Sequence, residues 1–142
     1  MTPLIFAATN DLAGKTRGKA FPADQMEKRL QRGVGWTPTN VQINCFDGIA
    51  DSPFGALGDL LLIPDATTHV QATFDNRTEQ LVLGDIVSLD GEPWAFCTRS
   101  LLKTALARLK DVAGVNLLSA FEHEFQLKRN LNLTGEAFGR TG

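Results

Sequence analysis

The sequence is poor in the residues that most often announce chemistry. Two cysteines and two histidines occur in 142 residues. Cys45 and Cys97 lie far apart and form no CxxC pair. Neither a redox pair nor a cysteine-rich metal site is therefore indicated, and two buried free thiols of a cytoplasmic protein are expected. His69 and His123 are isolated, and no Ser-His-Asp or Cys-His arrangement can be assembled around them. Long apolar runs are also missing. None approaches the roughly 18 residues needed to cross a bilayer, so no membrane partner is expected. The first ten residues lack the basic start and long apolar stretch of a secretory signal. Basic charge is not in excess: 14 Lys and Arg face 16 Asp and Glu, a formal charge of −2. Nucleic-acid binding driven by phosphate neutralisation is therefore not expected.

What remains is 43% apolar and 21% charged, the balance of an ordinary soluble globular chain. The length is that of one domain. No repeat or low-complexity tract occurs. Residues 4–9 form a short apolar run ended by Asn10-Asp11, and a second run passes through Ala20-Phe21, which together predict a β-hairpin. Pro22 stands where a helix would begin, with Ala23, Met26 and Leu30 at helical spacing and Gly33 as its stop. Residues 41–46 alternate Val41, Ile43, Cys45 against Gln42, Asn44, which predicts a half-buried strand. Residues 47–58 read as an ordered loop. A compact apolar burst, 59–65, is ended by Pro64. Strands are expected at 69–74 and 79–88, divided by the turn signal Asp75-Asn76, with another turn at Asp90-Gly91. Residues 99–112 give the clearest helix. Leu101, Leu102, Ala105, Leu106, Leu109 and Val112 make one apolar stripe, Thr98 or Ser100 can cap it, and Gly114 closes it. A final strand is expected over 115–127 and a flexible tail over 128–142. The pattern is α+β.

Few residues point to chemistry on their own. In Phe121-Glu122-His123-Glu124-Phe125, strand alternation would put the two glutamates on one face and the two phenylalanines on the other. Carboxylates about 7 Å apart along one face suit hard cations such as Mg²⁺ or Mn²⁺. The plain alternative is the solvated face of an edge strand. His123 alternates away from the glutamates and reads as a core or interface histidine. Gly14, Gly18 and Lys19 do not meet the phosphate-loop spacing: three residues separate the glycines, and Ala20 stands where the hydroxyl should be. Asp47, in Phe46-Asp47-Gly48, is either a turn residue or a functional one. Asp59 and Asp65 flank the apolar burst as strand-end turn residues.

Taken together, the segments resemble the glutamine synthetase family. Asp11-Leu12-Ala13-Gly14-Lys15-Thr16-Arg17-Gly18-Lys19 is similar to its first hairpin, D-x-x-G-x-x-R-G-K. The run from Gly58 to Thr68 looks like its strand ending in Pro-Asp. Asp85 with Asp90-Gly91-Glu92-Pro93, Arg99-Ser100-Leu101-Leu102, and Glu122-His123-Glu124-Phe125 match further blocks in order. The resemblance covers residues 10–127, and the γ-glutamyl-polyamine synthetase branch is closer than the ammonium-specific one.

The resemblance implies a β-grasp-like sheet packed on a helix over 1–95. It also implies the first helix and metal-ligand strand of a truncated catalytic domain over 96–127. The family joins glutamate to ammonia or an amine through γ-glutamyl phosphate, with ATP and Mg²⁺ or Mn²⁺, and works as a homo-oligomer. Carried over by motif, Glu122 and Glu124 would be metal ligands. Asp47 would serve the ammonium or amine site of a neighbouring subunit, with Asp59 near the same pocket. Ile49 and Ala50 replace the two serines that commonly follow Asp-Gly in ammonium-using members, which favours a bulkier amine. The ATP site and the remaining metal ligands lie downstream in the family, so this chain alone is expected to bind neither cofactor tightly and to be inactive. The unpaired 115–127 strand is expected to drive self-association. The competing expectation is a free-standing β-grasp interaction module without catalysis.

Overall fold

A computed structural model describes residues 3–122 and 124. Among the described residues, six strands form one mixed sheet. β1 (Leu4–Asn10) and β2 (Thr16–Pro22) pair antiparallel in the expected hairpin. The helix α1 (Met26–Arg32) follows a 3₁₀ turn at Ala23–Gln25 and stops at Gly33. β3 (Val34–Trp36), β4 (Leu60–Pro64), β5 (Val70–Phe74) and β6 (Arg77–Val87) complete the sheet, in the order β2-β1-β6-β4-β3 with β5 on β6. β6 is the hinge of the architecture. Its first half pairs antiparallel with β5 and its middle runs parallel to β1; its last residues pair antiparallel with β4. The parallel β1–β6 pair at the centre gives the α+β, β-grasp-like arrangement.

Alternation explains which face is buried. In β1, Ile5 and Ala7 enter the core, and in β4 Leu60 and Leu62 do so; Val82 and Ile86 answer from β6. Met26 and Ala23 pack against this cluster from the α1 side, as their helical spacing requires. The β5–β6 turn has Asp75 and Asn76 at φ 47° and 62°. Two consecutive left-handed residues are what a tight two-residue hairpin demands, and Asp and Asn tolerate them.

Three expectations need correcting. Residues 41–46 are not a strand. The chain forms a short helix, α2 (Thr39–Gln42), and Ile43 makes only an isolated bridge to Ile49. Thr37-Pro38-Thr39-Asn40 is a helix-start sequence, and local turn chemistry there overrides the alternation in the next residues. One consequence is that Cys45 is exposed and only Cys97 is buried. Second, the helix α3 (Thr98–Ala113) has Cys97 at its N-cap with no side-chain cap, rather than Thr98 or Ser100; Gly114 ends it in the left-handed conformation. Third, residues 115–122 and 124 belong to no strand and are exposed. An extended segment becomes a strand only by pairing, and no ladder among the described residues reaches this one. The self-association expected from an unpaired strand edge therefore loses its structural basis among those residues. His123, the rest of the expected strand and the tail 128–142 lie outside the described residues.

Candidate functional site

The hairpin motif D-x-x-G-x-x-R-G-K acts as scaffolding. Asp11 is fully buried, and its Oδ1 accepts hydrogen bonds from the backbone N–H of Ala13 (3.0 Å) and Lys15 (2.8 Å). Its Oδ2 accepts from Arg17 Nε at 2.8 Å. The buried carboxylate is thus both charge-paired and saturated with donors, which is how such a group is tolerated inside. Gly18 has Phe6 lying over it: a Cβ there would meet the Phe6 ring at 2.6 Å. Lys19 donates to the Gly35 carbonyl at 2.6 Å and stands 5.9 Å from the Trp36 ring centroid.

The rigid hairpin tip faces the Asp47 loop. Leu12 N–H donates to the Val41 carbonyl at 3.1 Å. Beyond α2 the chain makes a miniature closed loop, with Asn44 N–H donating to Gly48 O at 2.8 Å and Ala50 N–H to Gln42 O at 3.0 Å. Asn44 Oδ1 accepts from Phe46 N–H (2.9 Å) and Gly48 N–H (3.0 Å). This side-chain turn holds Asp47 at the loop tip in a left-handed conformation, φ 61°. The Asp47 side chain is 71% exposed, with Lys15 Nζ 3.1 Å and Arg17 Nη2 3.9 Å from its Oδ1. Past Gly48 the loop presents two exposed apolar residues, Ile49 and Ala50. Gln42 Nε2 to the Gly55 carbonyl, Thr39 Oγ1 to Ala56 O, and Phe54 packed on Trp94 and Phe96 fasten the rest of the 47–58 loop.

The other expected site residues are not gathered here. Asp59 is exposed just before β4 and makes no side-chain hydrogen bond or ion pair among the described residues. Glu122 and Glu124 are exposed in the irregular segment after α3. No group of three His, Cys, Asp or Glu side chains that could hold a metal ion occurs among the described residues. The described carboxylates therefore do not complete a divalent-cation site by themselves, and no chemical step is derived through one.

A second charged cluster was not read from the sequence as such. Arg99 in the first turn of α3 donates through Nη2 to Asp65 Oδ2 at 2.7 Å and through Nε to Asp85 Oδ1 at 3.0 Å. Lys103, one helical turn on, reaches the same two carboxylates. The Thr67 hydroxyl and N–H bonded to Asp65, aided by Lys103 and Arg99, hold its carboxyl below the ordinary aspartate range against the opposing effect of burial. The signal available was the four-residue Arg99–Lys103 spacing, which places both cations on one helix face. No helix among the described residues is long and apolar enough to cross a membrane.

Comparison with known proteins places these features in a family context. The profile of the glutamine synthetase N-terminal domain matches residues 2–94. Type-1 glutamine synthetase 1 of Dictyostelium discoideum is 30% identical over 127 residues, covering 82% of this chain and 26% of that protein. A crystal structure of a novel glutamine synthase homolog superposes with a TM-score of 0.72 at 36% identity, over 78% of this chain and 27% of its own. A GmaS/ADP complex gives 0.59 at 25% identity, covering 76% of this chain and 23% of that one. The chain thus spans about a quarter of the length of these relatives.

Proposed function

Because this chain belongs to the glutamine synthetase N-terminal domain family, we propose that it is the amino-terminal part of a ligase joining glutamate to an amine. The reaction proceeds through γ-glutamyl phosphate, ATP supplying the phosphoryl group that activates the γ-carboxyl. The observation that carries the reading is Asp47: an exposed carboxylate on a closed loop, already in contact with cationic nitrogen. An alkylammonium ion is attracted to such a carboxylate, and transfer of its proton to the carboxylate leaves the neutral amine that can attack an activated acyl group. Ile49, 59% exposed and two residues from Asp47, offers apolar surface to the carbon chain of an amine rather than a hydroxyl to ammonium. This supports a substituted amine of the γ-glutamyl-polyamine synthetase type as the acceptor.

The chain supplies only part of the machinery. In this reading residues 96–127 begin a second domain, and Glu122 and Glu124 offer carboxylates to Mg²⁺ or Mn²⁺ in a site that further residues complete. Asp47 serves the site of a neighbouring subunit in a cytoplasmic homo-oligomer, with Asp59 near the same pocket. The 142-residue chain alone is inactive.

The test reads the gene downstream of codon 142 and assays its product. The reading requires an in-frame continuation whose product releases ADP from ATP only when glutamate and an amine are both present. A natural stop codon directly after Gly142 would instead make the chain a free-standing interaction module and overturn the ligase assignment.

A further inference from the structure

Two cations converge on one oxygen of Asp47. Lys15 Nζ lies 3.1 Å and Arg17 Nη2 3.9 Å from Oδ1, whereas Oδ2 has no such contact among the described residues. Resting on the reading that Asp47 faces the amine, we propose that Lys15 and Arg17 are positioning residues that hold Oδ1 and turn Oδ2 outward to receive the incoming ammonium group.

Both sides of this contact are fixed before they meet. On the hairpin side, Asp11 binds the N–H groups of Ala13 and Lys15 and the Nε of Arg17, so the cations project from a stiff tip. On the loop side, the Asn44 carboxamide and the 44–48 backbone bonds fix the backbone of Asp47. They leave its side chain, 71% exposed, free to change rotamer. Among the described residues, the two cations are what restrains that rotamer.

Arg17 Nη2 strengthens the case. It is buried and has no hydrogen-bond partner among the described residues, an uncommon state for a guanidinium nitrogen. A shortening of roughly 0.7 Å toward Asp47 would bring it into ordinary hydrogen-bond range. The contact is therefore a hold of two strengths: Lys15 engaged directly, Arg17 as a nearby charge anchored from behind by Asp11. With Oδ1 committed to the chain's own cations, an alkylammonium meets one oxygen, in one direction. This is how a mobile surface carboxylate becomes an oriented one.

The experiment uses the 142-residue chain and NMR. Three-bond couplings report the Asp47 χ1 rotamer, and amide exchange at Phe46, Asp47 and Gly48 reports loop closure. The unaltered chain is expected to show one dominant Asp47 rotamer. Lys15→Met should average the couplings, shifting the rotamer ratio about two- to five-fold, the range of an exposed ion pair, while exchange at the three loop amides stays unchanged because the Asn44 bonds hold that backbone without Lys15. Lys15→Arg should restore the single rotamer. Arg17→Lys, which keeps a cation but shortens its reach, should give partial averaging with the β1–β2 amides still protected. A dominant rotamer that persists in both Lys15→Met and Arg17→Lys would overturn the proposal, as would rotamer averaging in the unaltered chain. None of these readouts involves glutamate, ATP or an amine. Failure here counts against the hold on Asp47, whereas absence of glutamate-dependent ADP release counts against the ligase reading.

Discussion

Arg99 and Asp65, 34 residues apart, are joined by a 2.7 Å hydrogen bond from Nη2 to Oδ2, while the same guanidinium donates to Asp85 at 3.0 Å. One side chain thereby ties the end of β4, the last part of β6 and the start of α3. The bond matters because no α3 residue is buried. The helix is held to the sheet by its first turn and by the adjoining Cys97, whose Sγ accepts from Ile86 N–H at 3.2 Å. Replacing Arg99 by Met should lower stability by about 1–3 kcal/mol, because two half-buried carboxylates lose their shared partner. Lys103→Met, more exposed, should cost about 0–1 kcal/mol. Urea unfolding followed by circular dichroism checks both, and the reverse order would contradict the arrangement.

The same cluster predicts a pH dependence. Asp65 is held below its ordinary value by the Thr67 bonds and then by Lys103 and Arg99. A depressed folded-state value means that this carboxylate contributes stability above its unfolded pKa, near 3.8. That contribution is lost as pH falls through the lower folded value. Urea midpoints should therefore decline as pH is taken from 5 to below 3.8, and Asp65→Asn should flatten that decline. An equal decline in Asp65→Asn would show that other carboxylates govern it.

Gly18 lies beneath the Phe6 ring, and an added Cβ would also collide with the Ala7 carbonyl. Gly18→Ala should cost about 1–3 kcal/mol through displacement of the ring and the β1–β2 pairing. Thermal unfolding measures it. The amides of β1 and β2 should lose hydrogen-exchange protection before those of β4.

The stripe expected on α3 exists, but it is exposed: Leu102 is 58% and Val112 79% accessible. Such a face in an isolated chain favours association. Light scattering should show a concentration-dependent increase in mass, suppressed by the double change Leu102→Gln, Leu109→Gln. A monodisperse monomer at micromolar concentration would contradict this.

Much of the fold was legible because local signals agreed with tertiary need. The two hairpins and β4 combine apolar runs with turn residues, and α1 and α3 combine a helical period with stop residues; each formed at or near the expected place, α1 beginning at Met26 after a 3₁₀ turn. β3 escaped notice because Val34–Trp36 is three residues long, too short for any period to register. Residues 41–46 misled because an alternating run sat behind a stronger helix start. The 115–127 strand was read from an alternation that only pairing can realise. The turn at Asp47 was legible from Phe46-Asp47-Gly48, where the residue takes a left-handed conformation. Its contact with Lys15 joins residues 32 apart in sequence and depends on α2 folding the loop back onto the hairpin tip. The Arg99 cluster was hidden for the same reason, since its three elements meet only in the sheet.

The proposed role of this chain is to contribute Asp47, Glu122 and Glu124 to an amine-using glutamate ligase whose site further residues complete. The most direct measurement is ADP release by the in-frame product that contains this sequence, with glutamate, ATP, Mg²⁺ and a panel of primary amines, set beside the 142-residue chain. Glutamate- and amine-dependent turnover is expected in the longer product, abolished by Glu122→Gln or Glu124→Gln and strongly reduced by Asp47→Asn with the fold intact by circular dichroism. No turnover is expected from the shorter chain. Turnover by the 142-residue chain above its Glu122→Ala control, or a longer product indifferent to all three substitutions, would contradict it.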